Sequence, residues 1–200
     1  MKNKRMLLVV FLVVILGLII YFAVFNNRNL AEPAKKLDTI DKYNYSLYDN
    51  STKEYKKIFN ELSKELSKES INEEKYVELI SKLFIIDFYT LDNKLTNLNI
   101  GGVEFVHSDI IDNFKQKANA TIYKYVESNI YGDRKQKLPL VKEVEVTKIE
   151  QKSFEYNEKK DSKAFFVSVS WEYEKDLDYE KSKTLVFVHE DNKLSLVEMS

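Results

Sequence analysis

Residues 165–171 read Phe-Phe-Val-Ser-Val-Ser-Trp, and apolar residues occupy every second position from Phe165 to Trp171. A period of two is the pattern of a β-strand that buries one face. Its inward-facing apolar side chains are expected to be Phe165, Val167, Val169 and Trp171. The sequence therefore predicts a strand at the centre of an apolar core.

Shorter stretches with the same alternation lie on both sides of this strand. Their apolar positions are Val144 and Val146 upstream, and Leu185, Phe187, Leu194 and Leu196 downstream. Charged segments at residues 157–162, 176–179 and 190–193 separate them, as is typical of solvated hairpin turns. We predict a meander of about four antiparallel strands with one apolar face.

Upstream of the strands, the apolar period changes to three and four, which favours helices. Residues 51–54 fit a capping box with Ser51 as the N-cap. The apolar stripe behind this cap consists of Tyr55, Ile58, Phe59, Leu62 and Leu66. Residues 70–72 start a second helix, which ends in the almost wholly apolar run 83–89. We expect this second helix to be the most buried, with a buried strand over residues 83–89 as the alternative.

A third helix is predicted after Ser108 and Asp109, which would cap its start. Its expected apolar stripe is Ile111, Phe114, Ala118, Ile122 and Tyr125. Three helices followed by about four strands form an α+β layer architecture, in which the helices cover the apolar face of the sheet.

The first 25 residues carry the pattern of a membrane helix. Lys2, Lys4 and Arg5 precede a run without charge over residues 6–25, which as a helix would span about 30 Å. A cleaved signal peptide is the alternative, but the run is long and no small-residue cleavage site follows it directly. The basic tip favours a cytoplasmic N-terminus. We therefore expect a cytoplasmic tip at residues 1–5, a transmembrane helix at 6–25, a stalk at 26–42 and an extracytoplasmic domain at 43–200.

Composition excludes several classes of protein. With 44% hydrophobic residues, 32% charged residues and a net charge of -1, the 200-residue chain is neither disordered nor a basic nucleic-acid binder. The absence of cysteine excludes disulfides, thiolate metal sites and a cysteine nucleophile. With two histidines and no phosphate loop, we expect no cofactor and no metal.

An N-terminal anchor, a short stalk, helices and then a curved antiparallel meander resemble membrane-anchored members of the nuclear-transport-factor-2-like superfamily. The architecture is most similar to the single-pass scaffold subunits of type IV secretion and conjugation channels. The resemblance lies in element order over residues of about 43–200, without a signature motif. It implies a cone-like domain, in a superfamily that includes enzymes with an aspartate or histidine in the mouth of the cone. A cystatin-like fold is the alternative.

Asp87 is the most interesting carboxylate, because it lies in the most apolar segment of the exported domain. Buried without a partner, it would be a candidate general base. We favour a structural interpretation, in which Asp87 points to solvent, bonds a loop amide, or pairs with a distant lysine or tyrosine. Asp92 and Lys94 nearby are compatible with this interpretation. Asp87, Tyr89 and Trp171 are the candidate residues of a ligand pocket between helices and sheet.

Each of the two histidines also has a structural and a functional interpretation. His107 precedes a predicted helix cap and is expected to be a surface or capping residue rather than a ligand. His189 lies beside Glu190 and Asp191, a set that can bind a metal, but a charged hairpin turn explains it better.

The leading functional hypothesis is a non-enzymatic, single-pass scaffold or assembly protein of the bacterial cell envelope, with a secretion or conjugation machine as the candidate assembly. Its expected partners are the lipid bilayer, through residues 6–25, and an envelope protein or a second copy of the chain. A domain that binds a small ligand is the second hypothesis, and an enzyme of unknown type is the third. A cavity with two convergent polar groups favours the last two, whereas an interior filled by aromatic side chains favours the first.

Overall fold

The computed structural model describes residues 2–26 and 30–200, and within them the chain has the predicted α+β architecture. Four α-helices are present: α1 Lys2–Asn26, α2 Lys53–Leu66, α3 Glu73–Tyr89 and α4 Ile111–Ala120. There are also six strands, numbered in chain order: β1 Lys36–Ile40, β2 Tyr45–Tyr48, β3 Val141–Tyr156, β4 Lys159–Tyr173, β5 Ser182–Glu190 and β6 Lys193–Met199. Short 3-10 helices occupy Asp41–Tyr43, Val103–Phe105 and Ser108–Ile110.

The C-terminal meander is confirmed. Strands β3 to β6 form one antiparallel sheet in the order β3-β4-β5-β6, so every connection is a hairpin between neighbours. The register places Val167 opposite Leu185 and Phe165 opposite Phe187, and all four side chains are buried. The predicted inward face of the central strand is therefore the one that the core uses.

The first hairpin of the sheet is longer than predicted. Pairing between β3 and β4 continues to Tyr156 and Lys159, so that the turn consists of Asn157 and Glu158, both with positive φ. The sequence pattern instead predicts a turn over residues 157–162. The charged residues of this segment resemble a loop in sequence, but their backbone amides and carbonyls are satisfied by cross-strand pairing.

Helices α2 and α3 agree with the prediction. The predicted stripe of α2 is buried, and α3 is buried around most of its circumference towards its C-terminus. One detail was wrong, because the N-cap of α2 is Thr52, whose hydroxyl accepts a hydrogen bond from Tyr55 N at 3.1 Å. Ser51 instead accepts one from Tyr48 N at 3.3 Å and closes the preceding turn.

Helix α4 is shorter than its apolar stripe predicts. Its last residue is Ala120, and the next residue, Thr121, has non-helical dihedral angles of φ -119° and ψ -102°. The change of direction buries Tyr123 and leaves Tyr125 74% exposed. The expectation that Tyr125 belongs to the buried stripe was therefore wrong.

A second, two-stranded sheet lies partly in the region expected to be a stalk. β1 pairs antiparallel with β2, with Thr39 opposite Ser46 and Ile40 opposite Tyr45. β1 contains charged residues and most of it is exposed, so it lacks the alternation from which a strand is predicted. Its hydrogen bonds to β2, rather than a buried face, define it.

The predicted N-terminal helix is present as α1. In the parts of the chain that the structure describes, none of the helices meets the combined requirement of length and apolar character for a membrane span.

Aromatic side chains fill the space between the helices and the sheet. The rings of Phe84 and Phe88 stack at 5.4 Å, and Phe114 lies 5.2 Å from Phe88. Tyr89 joins α3 to the sheet, since its ring centroid lies 4.4 Å from that of Trp171. The interior at these positions is therefore packed, and concave surface is found elsewhere on the domain.

Candidate functional site

A cleft of about 580 Å³ lies between the β1–β2 sheet and the loop that follows α3. Its ionisable lining residues are Tyr48, Tyr55, Asp87, Lys94, Glu104 and Lys193. Asparagine and serine side chains supply much of the remaining polar wall, at Asn44, Ser46, Asn50, Ser51, Asn93 and Asn99. A volume in the range of ~300–1,000 Å³ and convergent polar groups are typical of small-molecule sites.

Glu104 connects three elements at the wall of this cleft. It lies in the 3-10 helix Val103–Phe105, which brings its carboxyl group to β2 and α2. Oε1 accepts a hydrogen bond from the Tyr55 hydroxyl at 2.9 Å, and Oε2 accepts one from Ser46 N at 3.0 Å. The carboxyl group therefore holds the loop after α3 against the N-terminal part of the domain.

Burial raises the pKa of Glu104 from 4.5 to about 7. The hydrogen bond from Tyr55 opposes this effect, because it stabilises the charged form, and the negative charge of Asp87 adds to it. Glu104 therefore exchanges a proton near neutral pH, which an exposed glutamate does not do.

Tyr55 is the neutral donor to this carboxyl group. Its side chain is buried at the start of α2, and burial together with the charges of Glu104 and Asp87 raises its pKa well above 10. The hydroxyl therefore keeps its proton and acts as a hydrogen-bond donor, not as a base.

Asp87 lines the same cleft, and both of its oxygens have partners. Oδ1 accepts a hydrogen bond from Lys94 Nζ at 2.6 Å, and Oδ2 accepts one from Gly102 N at 2.6 Å. The Lys94 side chain is only 9% exposed and that of Asp87 is 31% exposed, so the pair is buried on the lysine side and partly open on the aspartate side. A lysine and a loop amide are the partners that the structural interpretation of Asp87 anticipated.

The paired glycines allow the loop to approach α3. A Cβ on Gly101 would lie 2.2 Å from the Asp87 carbonyl oxygen, and a Cβ on Gly102 would lie 2.7 Å from the Phe84 ring. Gly102 also has a φ of +72°, which favours glycine. Both positions therefore need a residue without a side chain for the loop to reach Asp87.

The other two predicted pocket residues lie elsewhere. Tyr89 and Trp171 contact each other between α3 and the sheet and do not belong to the lining of this cleft. The Tyr89 hydroxyl donates to Glu180 Oε1 at 2.6 Å, and burial raises its pKa far above 10. The structure thus separates Asp87 from the two aromatic residues with which the sequence analysis grouped it.

The histidines lie away from this wall, in contacts near the end of the large sheet. His107 is buried; its Nδ1 accepts from Asp109 N at 3.1 Å, and its Nε2 is hydrogen-bonded to the Tyr156 hydroxyl. His189 lies between Asp161, at 2.8 Å from Nδ1, and Glu73, at 3.4 Å from Nε2. Over residues 2–26 and 30–200, no group of histidine and acidic side chains has the geometry of a metal site.

Glu104 is the site residue that sequence reasoning missed. The available signal was the same as for Asp87, a single carboxylate among apolar residues, here Val103, Phe105 and Val106. The paired glycines just before it indicated a close backbone approach. Neither signal identifies the partners, because Ser46 and Tyr55 come from a region 49 to 58 residues earlier in the chain.

Comparison of the chain with family models, with curated proteins and with solved structures finds no match.

Proposed function

We propose that this chain is a non-enzymatic protein of the bacterial cell envelope, anchored by residues 6–25, whose extracytoplasmic domain works as a scaffold through contacts with other envelope components. The observation that carries this proposal is the state of the carboxyl groups at the cleft. Asp87 and Glu104 each accept two hydrogen bonds from the protein itself, so their oxygens are engaged in holding loops together. A catalytic carboxylate instead needs neighbouring groups that are positioned to act with it on a reacting atom.

The filled interior supports the same proposal. Phe84 and Phe88 of α3 pack against Phe114 of α4, and Tyr89 packs on Trp171. Packing of this kind stabilises the domain as a rigid body and leaves binding to the outer surface. A rigid domain with a shaped outer surface is suited to assembly.

Anchoring is supported by the surface of α1. Its apolar side chains are exposed, for example Leu7 at 76% and Phe11 at 64%. Apolar surface of this extent is unfavourable in water and favourable in a lipid environment. The basic residues before the apolar run support a cytoplasmic N-terminus, which would place the domain outside the cell.

The proposal is tested by replacing each carboxyl group with an amide, which cannot act as an acid or base and keeps one acceptor oxygen. In a strain that lacks the chain, Asp87→Asn and Glu104→Gln proteins should restore the phenotype, because a contact function does not depend on a carboxylate that transfers protons. Folded protein in the membrane fraction is the required control. Loss of complementation by both variants, at normal membrane levels, would contradict a non-enzymatic role.

A second candidate function, the binding of a small ligand, is favoured by the cleft itself. The cleft has the volume of a ligand site, and polar groups from β2, α3 and the loop after α3 converge on it. The two functions are compatible, since a scaffold domain can carry a binding site on its surface.

A further inference from the structure

The wall of the cleft carries side-chain amides that are free to bind. Among the described residues, no hydrogen bond engages the side chains of Asn44 and Asn50, and the Nδ2 group of Asn99 donates to no protein atom. Each amide group offers donors, and those of Asn44 and Asn50 also offer an acceptor. The lining therefore presents both kinds of hydrogen-bonding group at once.

The charges of the lining nearly cancel. Asp87 and Lys94 form an ion pair, and Lys193 adds one positive charge while Glu104 carries part of a negative charge near pH 7. A wall of this kind does not concentrate a strongly anionic or cationic ligand. Because the lining also includes apolar residues such as Ile100 and Val103, the ligand that fits it has no net charge and combines hydrogen-bonding groups with apolar surface.

An extended peptide is disfavoured by the backbone at the cleft. A peptide that adds to a sheet needs free amides on an edge strand. On β2, the amide of Ser46 already donates to Glu104, and the amide of Tyr48 donates to Ser51 Oγ. These side chains occupy the positions that a further strand would use.

Tyr48 supplies an aromatic surface at the rim. It lines the cleft, its side chain is 37% exposed, and it lies between Asn44 and Asn50 in the chain. An aromatic ring packs on apolar C–H groups while its hydroxyl stays in water. A sugar ring presents such C–H groups on one face and hydroxyls, which both donate and accept, around its edge.

We propose that this cleft binds a neutral saccharide, with Tyr48 packed against a sugar ring and the side-chain amides of Asn44 and Asn50 bonded to its hydroxyl or N-acetyl groups. The inference rests on the second candidate function, ligand binding, and is independent of membrane anchoring and of scaffold activity. The volume of about 580 Å³ is within the range of sites that enclose small ligands.

The test uses the purified full chain, prepared without detergents that carry sugar headgroups, because these would compete for the site. Chitobiose, maltose and a neutral pentapeptide are the probes, and binding is measured by calorimetry and saturation-transfer NMR. The chain should bind at least one disaccharide saturably and should not bind the peptide. Tyr48→Ala and Asn50→Ala should each weaken binding by about tenfold or more, because each removes a direct contact.

Tyr125→Ala is the matched control, since Tyr125 is an exposed tyrosine that does not line the cleft. Asn44→Ala provides a second exposed position if Tyr48→Ala does not fold. No saturable binding of either disaccharide up to about 10 mM would overturn the proposal. Equal affinity of the Tyr48 and Asn50 variants and the wild type, or binding of the peptide alone, would also overturn it. Because binding is measured on purified protein, these outcomes are distinguishable from a failure of complementation.

Discussion

The Tyr55 hydroxyl donates a 2.9 Å hydrogen bond to Glu104 Oε1, and this contact joins the start of α2 to the loop after α3. Glu104 is thereby enclosed at the wall of the cleft, where burial raises its pKa to about 7. The same carboxyl group thus contributes to the architecture of the domain and responds to pH near neutrality.

The stability of the domain should fall as the pH rises from about 4.5 to about 7. In this window the folded protein keeps a proton on Glu104 that the unfolded chain, with a pKa of 4.5, has lost. The folded state therefore binds more protons, and the slope from this one group reaches about -1.4 kcal/mol per pH unit. The contribution is fully present below pH 4.5 and is lost as the pH rises through 7.

Denaturant unfolding of the wild type and of Glu104→Gln at several pH values measures this slope. The free energy of unfolding of the variant, relative to the wild type, should increase with pH across this window. Glu172→Gln is the control, since the Glu172 side chain is 72% exposed and its replacement should leave the pH profile unchanged. Parallel profiles for wild type and Glu104→Gln would contradict the burial of Glu104.

Asp87 is predicted to act through its two hydrogen bonds. Asp87→Ala leaves Lys94 Nζ and Gly102 N without their acceptor and should lower the free energy of unfolding by about 1–3 kcal/mol. Asp87→Asn keeps one acceptor oxygen and should cost less. Thermal and denaturant unfolding measure both, with the exposed Asp176→Asn as the control. Equal stability of Asp87→Ala and wild type would show that the pair is not formed.

Gly102 and Gly132 have similar backbone angles. Alanine substitutions at these two positions therefore distinguish the cost of steric crowding from the cost of backbone conformation. Gly102 has a φ of +72° and Gly132 a φ of +68°, but only at Gly102 would a Cβ meet another residue, the Phe84 ring at 2.7 Å. Gly132→Ala should cost about 1–2 kcal/mol for its left-handed conformation alone. Gly102→Ala should cost about 1–3 kcal/mol more. Equal losses, measured by denaturant unfolding, would mean that the loop does not approach α3 closely.

Alanine substitutions of aromatic residues should lower the free energy of unfolding in proportion to how deeply each ring is buried. Phe88→Ala removes a ring that is 3% exposed and contacts several aromatic neighbours, so it should cost about 3–5 kcal/mol. Phe114 is only partly buried, and Phe114→Ala should cost about 1–3 kcal/mol. Tyr125→Ala should change stability by less than about 0.5 kcal/mol. A loss at Tyr125 as large as that at Phe88 would contradict the end of α4 at Ala120.

The predictable part of the fold is the part with strong periodicity. The alternation around Val167 and the helical stripe around Phe59 both arise because one face of the element is buried. Burial of one face is directly visible as a periodic pattern of apolar residues in the sequence. β1 was missed because hydrogen bonds to β2, rather than buried side chains, hold it. The end of α4 was missed because the helical spacing of apolar residues continues to Tyr125, five residues beyond the actual end of the helix at Ala120, and the chain after the helix buries Tyr123 instead.

The site was predictable only for Asp87, as an isolated carboxylate in an apolar segment. Its partner Lys94 is seven residues away and was identified as compatible from the sequence. Glu104 acquires its properties from Ser46 and Tyr55, which tertiary folding brings to it. Contacts over such separations are not encoded in any local pattern.

Protease treatment of intact protoplasts tests most directly the proposal that the domain works outside the cell from a membrane anchor. We predict that added protease degrades the domain beyond residue 25 and leaves a short N-terminal fragment in the membrane, while a cytoplasmic control protein stays intact. Full protection of the domain would contradict the extracytoplasmic assignment. Release of a shortened, mature protein into the medium would contradict the anchor and favour a cleaved signal peptide.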